Sequence, residues 1–118
     1  MILIEDIKQG RRKIGSIYKS SDDALVLVVS LSNKYIRIKK EKTVSDAIRN
    51  KTAEIGVKYE VLLKAKAKNV KFVAFIIKET KDIYLMHFEK FFTDSVYRYG
   101  YKYLPICNFA CATGKMKI

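Results

Sequence analysis

Asn69-Val70-Lys71-Phe72-Val73-Ala74-Phe75-Ile76-Ile77-Lys78 is the stretch on which the reading of the chain turns. Its centre, from Phe72 to Ile77, is an unbroken apolar run of strand length between lysines. Such a run is typical of a central strand covered on both faces. Asn69 stands just before it and suits the left-handed position that closes a helix. Residues 79–82 read as a tight turn, and residues 83–88 as the next strand.

Upstream, Thr43-Val44-Ser45-Asp46 has the pattern of a capping box, which starts a helix. Val44, Ala47, Ile48, Ile55, Tyr59, Leu62 and Leu63 follow at helical spacing and predict a long helix ending at Asn69. Gly56 either divides that helix or sits inside it. Residues 57–68 also alternate, which leaves a strand open as an alternative there. Residues 3–13 suggest a short helix with Ile4 and Ile7 on one face. Residues 14–19 read as a short strand and 20–23 as a turn. Valine-rich residues 24–31 read as a buried strand. Residues 35–39 read as its hairpin partner after a turn at 32–34. Downstream, residues 96–103 read as a strand and 106–112 as a short apolar segment of open type.

This order predicts an α+β fold: about three strands, a long helix, then two to three strands. The sheet is mixed, with helices packed on it. The 118 residues correspond to a single compact domain, 1–118.

Lysine and arginine number 24 against 12 acids, a formal net charge of +12. A compact domain so basic repels itself, and polyanion binding is the usual reason for it. The charge is spread through the predicted elements, which favours a binding face over a basic tail. Cys107 and Cys111 are too few for a disulfide framework. With His87, the only histidine, they fall short of the four ligands of a structural zinc site. No apolar run approaches a membrane span, and the N-terminus lacks a signal-peptide layout. The chain is expected to be cytoplasmic, with no membrane partner. Its wealth of lysine, isoleucine and tyrosine suggests an AT-rich genome, such as that of a virus or mobile element.

The predicted order resembles the core of the PD-(D/E)XK nuclease superfamily over roughly residues 3–90. The run from Asn69 to Met86 is similar to the strand pair after the second core helix in some small members. The resemblance implies carboxylates that hold Mg²⁺ and a lysine that orients or activates the attacking water. The residues that would serve here are Glu5, Asp22 or Asp23, Lys39 and Glu41, the last one residue off the motif position. The third-strand motif departs from the family pattern: with Lys39 as the motif lysine, Arg37 occupies the carboxylate position, and with Lys42, Lys40 does. A catalytically inert binding domain fits the same scaffold.

Tyr97-Arg98-Tyr99-Gly100-Tyr101-Lys102-Tyr103 is the most unusual stretch. On one straight strand its tyrosines share a face, while Arg98 and Lys102 share the other. Tyr99 and Tyr101 could then stack exposed bases while the cations track phosphates. Tyrosine is equally a normal strand residue that packs on a core. Tyr99-Gly100-Tyr101-Lys102 also matches the Tyr-x-x-Lys of rolling-circle nickases, without their paired histidines. A second candidate is Lys58, Lys64, Lys66 and Lys68 on the predicted helix, with Arg49 and Lys51 earlier, as flexible phosphate contacts. The third is the cluster Lys34, Arg37, Lys39, Lys40 and Lys42, which Arg11, Arg12 and Lys13 could join. His87 and Glu89, on one strand face, could form an acid–base pair.

These observations lead to the expectation of a non-enzymatic protein that binds DNA or RNA largely without sequence preference and needs no cofactor. The alternatives are a Mg²⁺-dependent nuclease and an inhibitor that grips a host nucleoprotein complex. The apolar strands leave an edge that a homodimer could cover.

Overall fold

A computed structural model describes residues 1–109 of the chain. It has a mixed α/β content organised around two sheets. The chain begins with an antiparallel hairpin, β1 (Ile2–Gln9) and β2 (Arg12–Lys19). Gly10, at φ +62°, opens the two-residue turn, a position where glycine avoids the cost of a Cβ. The helix expected over residues 3–13 is therefore replaced by strands. A short isolated helix is marginal, whereas the hairpin pairs its backbone and buries Ile7 and Ile17 in the main core.

Next comes β3 (Leu25–Leu31), antiparallel to β2 and parallel to β6 (Phe72–Ile77). An antiparallel β7 (Ile83–His87) completes the five-stranded sheet, in the order β1-β2-β3-β6-β7. The apolar run thus lies inside the sheet, with one face in the main core and the other in a smaller cluster where Phe72 and Ile76 stay partly exposed. Val73, Phe75 and Ile77 enter the main core, while Ala74 packs with Val26 and Val28 on the other side.

The second sheet has four strands in the order β4-β5-β9-β8. They are β4 (Ile36–Arg37), β5 (Glu54–Lys58), β8 (Val96–Arg98) and β9 (Tyr101–Pro105). Among the described residues three α-helices accompany the sheets: α1 (Val44–Arg49), α2 (Tyr59–Ala67) and α3 (Phe88–Asp94). The main core joins Ile17, Leu27 and Phe75 of the first sheet to Ile55 and Leu104 of the second. Val61 and Leu62 of α2 and Phe88 and Phe91 of α3 complete it.

The long helix expected from residue 43 onward is instead α1, β5 and α2. Its start is as expected, since Thr43 Oγ1 accepts from the Asp46 amide at 3.1 Å. α1 then stops at once: Lys51 turns left-handed at φ +57°, and the Thr52 amide bonds back to Ala47 at 2.9 Å. The following residues obey a period of two, with Ile55 and Val57 turned into the core from β5. α2 closes as expected at Asn69, φ +59°. The Asn69 amide bonds to Lys66 O at 3.1 Å and the Val70 amide to Ala65 O at 3.2 Å, the pair that defines a Schellman cap.

Three further expectations are corrected. Of residues 35–39, only Ile36 and Arg37 are extended, and they pair with β5 and not with β3. α3 takes in Phe88, expected as the end of the strand over residues 83–88, and Glu89, expected on a strand face with His87; its remaining residues carried no predicted element. The single strand over residues 96–103 is a hairpin, turned by Tyr99 at φ +51° and Gly100 at φ +84°. Two successive positive φ values make the primed turn that matches strand twist. No helix among the described residues is long and apolar enough to cross a membrane.

Candidate nucleic-acid interface

The register of the second sheet sorts its side chains. Ile36, Ile55 and Leu104 are mutual partners, and all are buried in the core. The alternate positions face the other way: Arg37 on β4, Glu54, Gly56 and Lys58 on β5, Tyr101, Tyr103 and Pro105 on β9. Gly56 pairs with Tyr103, and Lys58 with Tyr101. Tyr35, in a 3₁₀ turn (Asn33–Tyr35) before β4, extends this face. Its ring centroid lies 6.0 Å from that of Tyr101, which lies 6.2 Å from that of Tyr103.

Cations flank this row of rings. Arg12 lies 5.5 Å from the Tyr35 centroid and Lys34 lies 5.0 Å from it. Arg37 lies 5.2 Å from the Tyr103 centroid. The fold thus gathers Arg12, Lys34, Arg37 and Tyr101, four residues singled out in the sequence, from β2, the 3₁₀ turn, β4 and β9. Tyr35 was missed as a site residue, and Tyr103 was read as part of the tyrosine face but not named among the stacking residues. Their signal was present, as tyrosines beside Lys34 and opposite a glycine, but it depends on knowing which strands pair.

The row has its own electrostatics. Burial pushes the Tyr35 phenol up, but hydrogen bonding and charge from Lys34 and Arg12 together outweigh it and hold the group below the usual tyrosine value. Tyr101 moves the opposite way: burial raises it, and the neighbouring phenols Tyr35 and Tyr103 add to the rise.

The remaining candidates are dispersed. Arg98 pairs with Tyr101 and so shares its face of the sheet, against the expectation that it opposes the tyrosines. Lys102 turns to the other side. It donates to the Phe92 carbonyl and lies 4.6 Å from the Phe92 ring, and burial lowers its pKa. Tyr99 is 100% exposed at the hairpin tip, and Tyr97 packs edge-on against Tyr59 at 5.3 Å. On α2, Lys66 pairs with Glu89 at 3.2 Å and Lys68 with Glu5, while Lys64 is exposed. Arg11 and Lys40 are also exposed, in the β1–β2 turn and in the bend after β4. Lys39 stands 3.6 Å from the buried Glu54. At that distance Glu54 Oε1 has no hydrogen-bond partner.

A cavity of about 350 Å³ opens beside the row. β2 pairs with β3 only where residues 16–19 meet residues 25–28. Beyond Ser16 and Val28 the strands part, and both parted halves line the cavity. A bulge accompanies the parting. The β1–β2 register slips between Ile7 and Lys8, opposite Ile14, and a bulge twists its strand away from a straight course. Val57 and Val61 wall the cavity from the core side, and Tyr35, Tyr101, Arg12 and Lys58 line it as well.

The positions matched to a nuclease are held separately. Glu5 on β1 pairs with Lys68, and Asp23 in the β2–β3 turn pairs with Lys19 at 3.2 Å. Glu41 lies in the bend region after β4. Among the described residues no three His, Cys, Asp or Glu side chains form a group that could hold a metal ion. His87 ends β7 and packs on Phe72 at 4.9 Å, while Glu89 belongs to α3 and pairs with Lys66. They do not share a strand. Cys107 is exposed in a 3₁₀ turn (Ile106–Asn108), and Cys111 lies outside the described residues, as does the end of the apolar segment 106–112. Comparison with protein families, characterised proteins and solved structures found no match.

Proposed function

We propose that the chain binds single-stranded nucleic acid, largely without sequence preference, on the outer face of the second sheet. The observation that carries this reading is the row Tyr35–Tyr101–Tyr103 with Arg12, Lys34 and Arg37 beside its rings. Aromatic side chains in a positive groove supply the two ingredients that sequence-tolerant strand binders combine. The rings and the planar guanidinium groups offer stacking surfaces, and the charges neutralise phosphates. The net charge of +12 supports the same reading. The mode is non-catalytic.

Fluorescence anisotropy with a labelled single-stranded oligonucleotide, and with its duplex, tests it across a salt series. Log K should fall linearly with log salt, by about 0.7 for each phosphate neutralised on a single strand. The single strand should bind more tightly than the duplex, because only unstacked bases can lie on the rings. The Arg12→Gln, Arg37→Gln double variant should weaken binding to every sequence alike and flatten the salt slope. An affinity indifferent to salt, or one unchanged in the double variant, would sink the proposal.

A further inference from the structure

We infer that the wedge between β2 and β3 receives one base of the bound strand, an inference that rests on the strand-binding face proposed above. Its chemistry is specific in three respects. First, Arg12, Lys13, Lys58 and Lys78 line it and no acid does, so it favours an anionic ligand. Second, the core-side walls include Leu31, Val57 and Val61, which suit an apolar or planar body. Third, the parted halves of β2 and β3 form no ladder with each other. Their facing backbone edges offer fixed donors and acceptors, on buried Gly15, Val29 and Leu31 and on exposed Arg12, Lys13 and Ser30.

These requirements narrow the occupant. An inorganic anion would leave the apolar walls in contact with water. A hydrocarbon chain would leave the peptide edges unmet. A nucleobase is planar, carries donors and acceptors along its edge, and brings its own phosphate. The cavity volume of about 350 Å³ falls in the range of small-ligand sites. The position fits as well, because Tyr35 and Tyr101 belong both to the tyrosine row and to the cavity lining. A strand laid along the row therefore passes the mouth of the wedge, where one unstacked base can turn in while Arg12 and Lys58 hold its phosphate.

The test is ¹H–¹⁵N NMR of the full chain titrated with AMP, with UMP, and with inorganic phosphate and ribose 5-phosphate as controls. The expected result is shifted amides in residues 12–15 and 29–31 with a mononucleotide and not with either control. Ser30→Phe, an exposed strand position on the cavity wall, should abolish those shifts. It should also lower oligonucleotide affinity about tenfold, the worth of one base contact, with the melting temperature unchanged. Equal shifts with phosphate alone, or none with any probe, overturn the inference. If Ser30→Phe does not fold, the wild-type shift map decides alone. An oligonucleotide that shifts the tyrosine row but spares the wedge removes the base pocket and leaves the strand-binding reading standing. An oligonucleotide that binds nowhere removes both.

Discussion

Tyr103 lies directly over Gly56 across the β5–β9 ladder: a Cβ on residue 56 would stand 2.2 Å from Tyr103 Cε1 and 2.6 Å from Cδ1. The glycine is thus a seat for the ring. Adding a methyl group leaves no room for the ring where it now rests, and Tyr103 anchors one end of the tyrosine row.

Gly56→Ala should therefore tilt Tyr103 out of place. Overpacking of this kind typically costs about 1 to 3 kcal/mol. Thermal melting should show the loss, and single-strand affinity should fall with it. Tyr103→Ala added to Gly56→Ala should restore part of the lost stability, since the methyl group then has nothing to meet. A Gly56→Ala variant as stable as the wild type would show that the ring has another resting place.

Tyr99 and Tyr101, adjacent in the sequence across a glycine, should respond differently to truncation. Tyr99 is 100% exposed, so Tyr99→Ala should leave stability within about 0.5 kcal/mol. If bases stack on the tip, the same variant loses about 1 to 3 kcal/mol of single-strand binding and little duplex binding. Tyr101 is partly buried between Tyr35 and Tyr103. Tyr101→Ala should lower both melting temperature and affinity. Paired melting curves and anisotropy titrations separate the two roles.

Lys51 holds a left-handed conformation, φ +57°, in the cap that ends α1. Side chains with a Cβ adopt that region at a cost that glycine avoids. Lys51→Gly should stabilise the fold by about 0.5 to 1 kcal/mol, visible as a higher urea midpoint at constant slope. A lower midpoint would mean that the lysine makes a contact worth more than the strain.

The phenols should titrate in an unusual order. Tyr35 is held below the ordinary tyrosine value, and Tyr84 and Tyr101 are raised above it, chiefly by burial. Absorbance at the tyrosinate band should show one early phenol, absent in Tyr35→Phe. The sign on stability follows from linkage. Between the folded Tyr35 pKa and the unfolded value, the unfolded chain binds the extra proton, so this group adds stability as pH rises and loses it as pH falls back through its folded pKa. The melting temperature of wild type minus that of Tyr35→Phe should thus grow toward about pH 10. A flat difference would show that Lys34 and Arg12 do not act on the phenol.

The sequence alone determined what short-range chemistry dictates. The central strand β6, the Thr43 cap and the left-handed Asn69 were legible because an apolar run, a hydroxyl three residues before an acid, and an asparagine at a helix end each act locally. The excess of positive charge was legible as a simple count. Only the tertiary structure decided between readings that local pattern leaves nearly equal. Residues 3–13 fit one helical turn, yet pairing with β2 satisfies the backbone and buries Ile7. Residues 54–58 fit a helix by spacing, yet Ile55 and Val57 reach the core only from a strand, with Gly56 leaving room for Tyr103. The straight tyrosine strand failed because Tyr99-Gly100 reverses the chain, which sends Lys102 to Phe92 and puts Arg98 beside Tyr101. The row of Tyr35, Tyr101 and Tyr103 and the wedge between β2 and β3 depend on strand pairing between distant segments, and such pairing is set by the shared core and by no local motif.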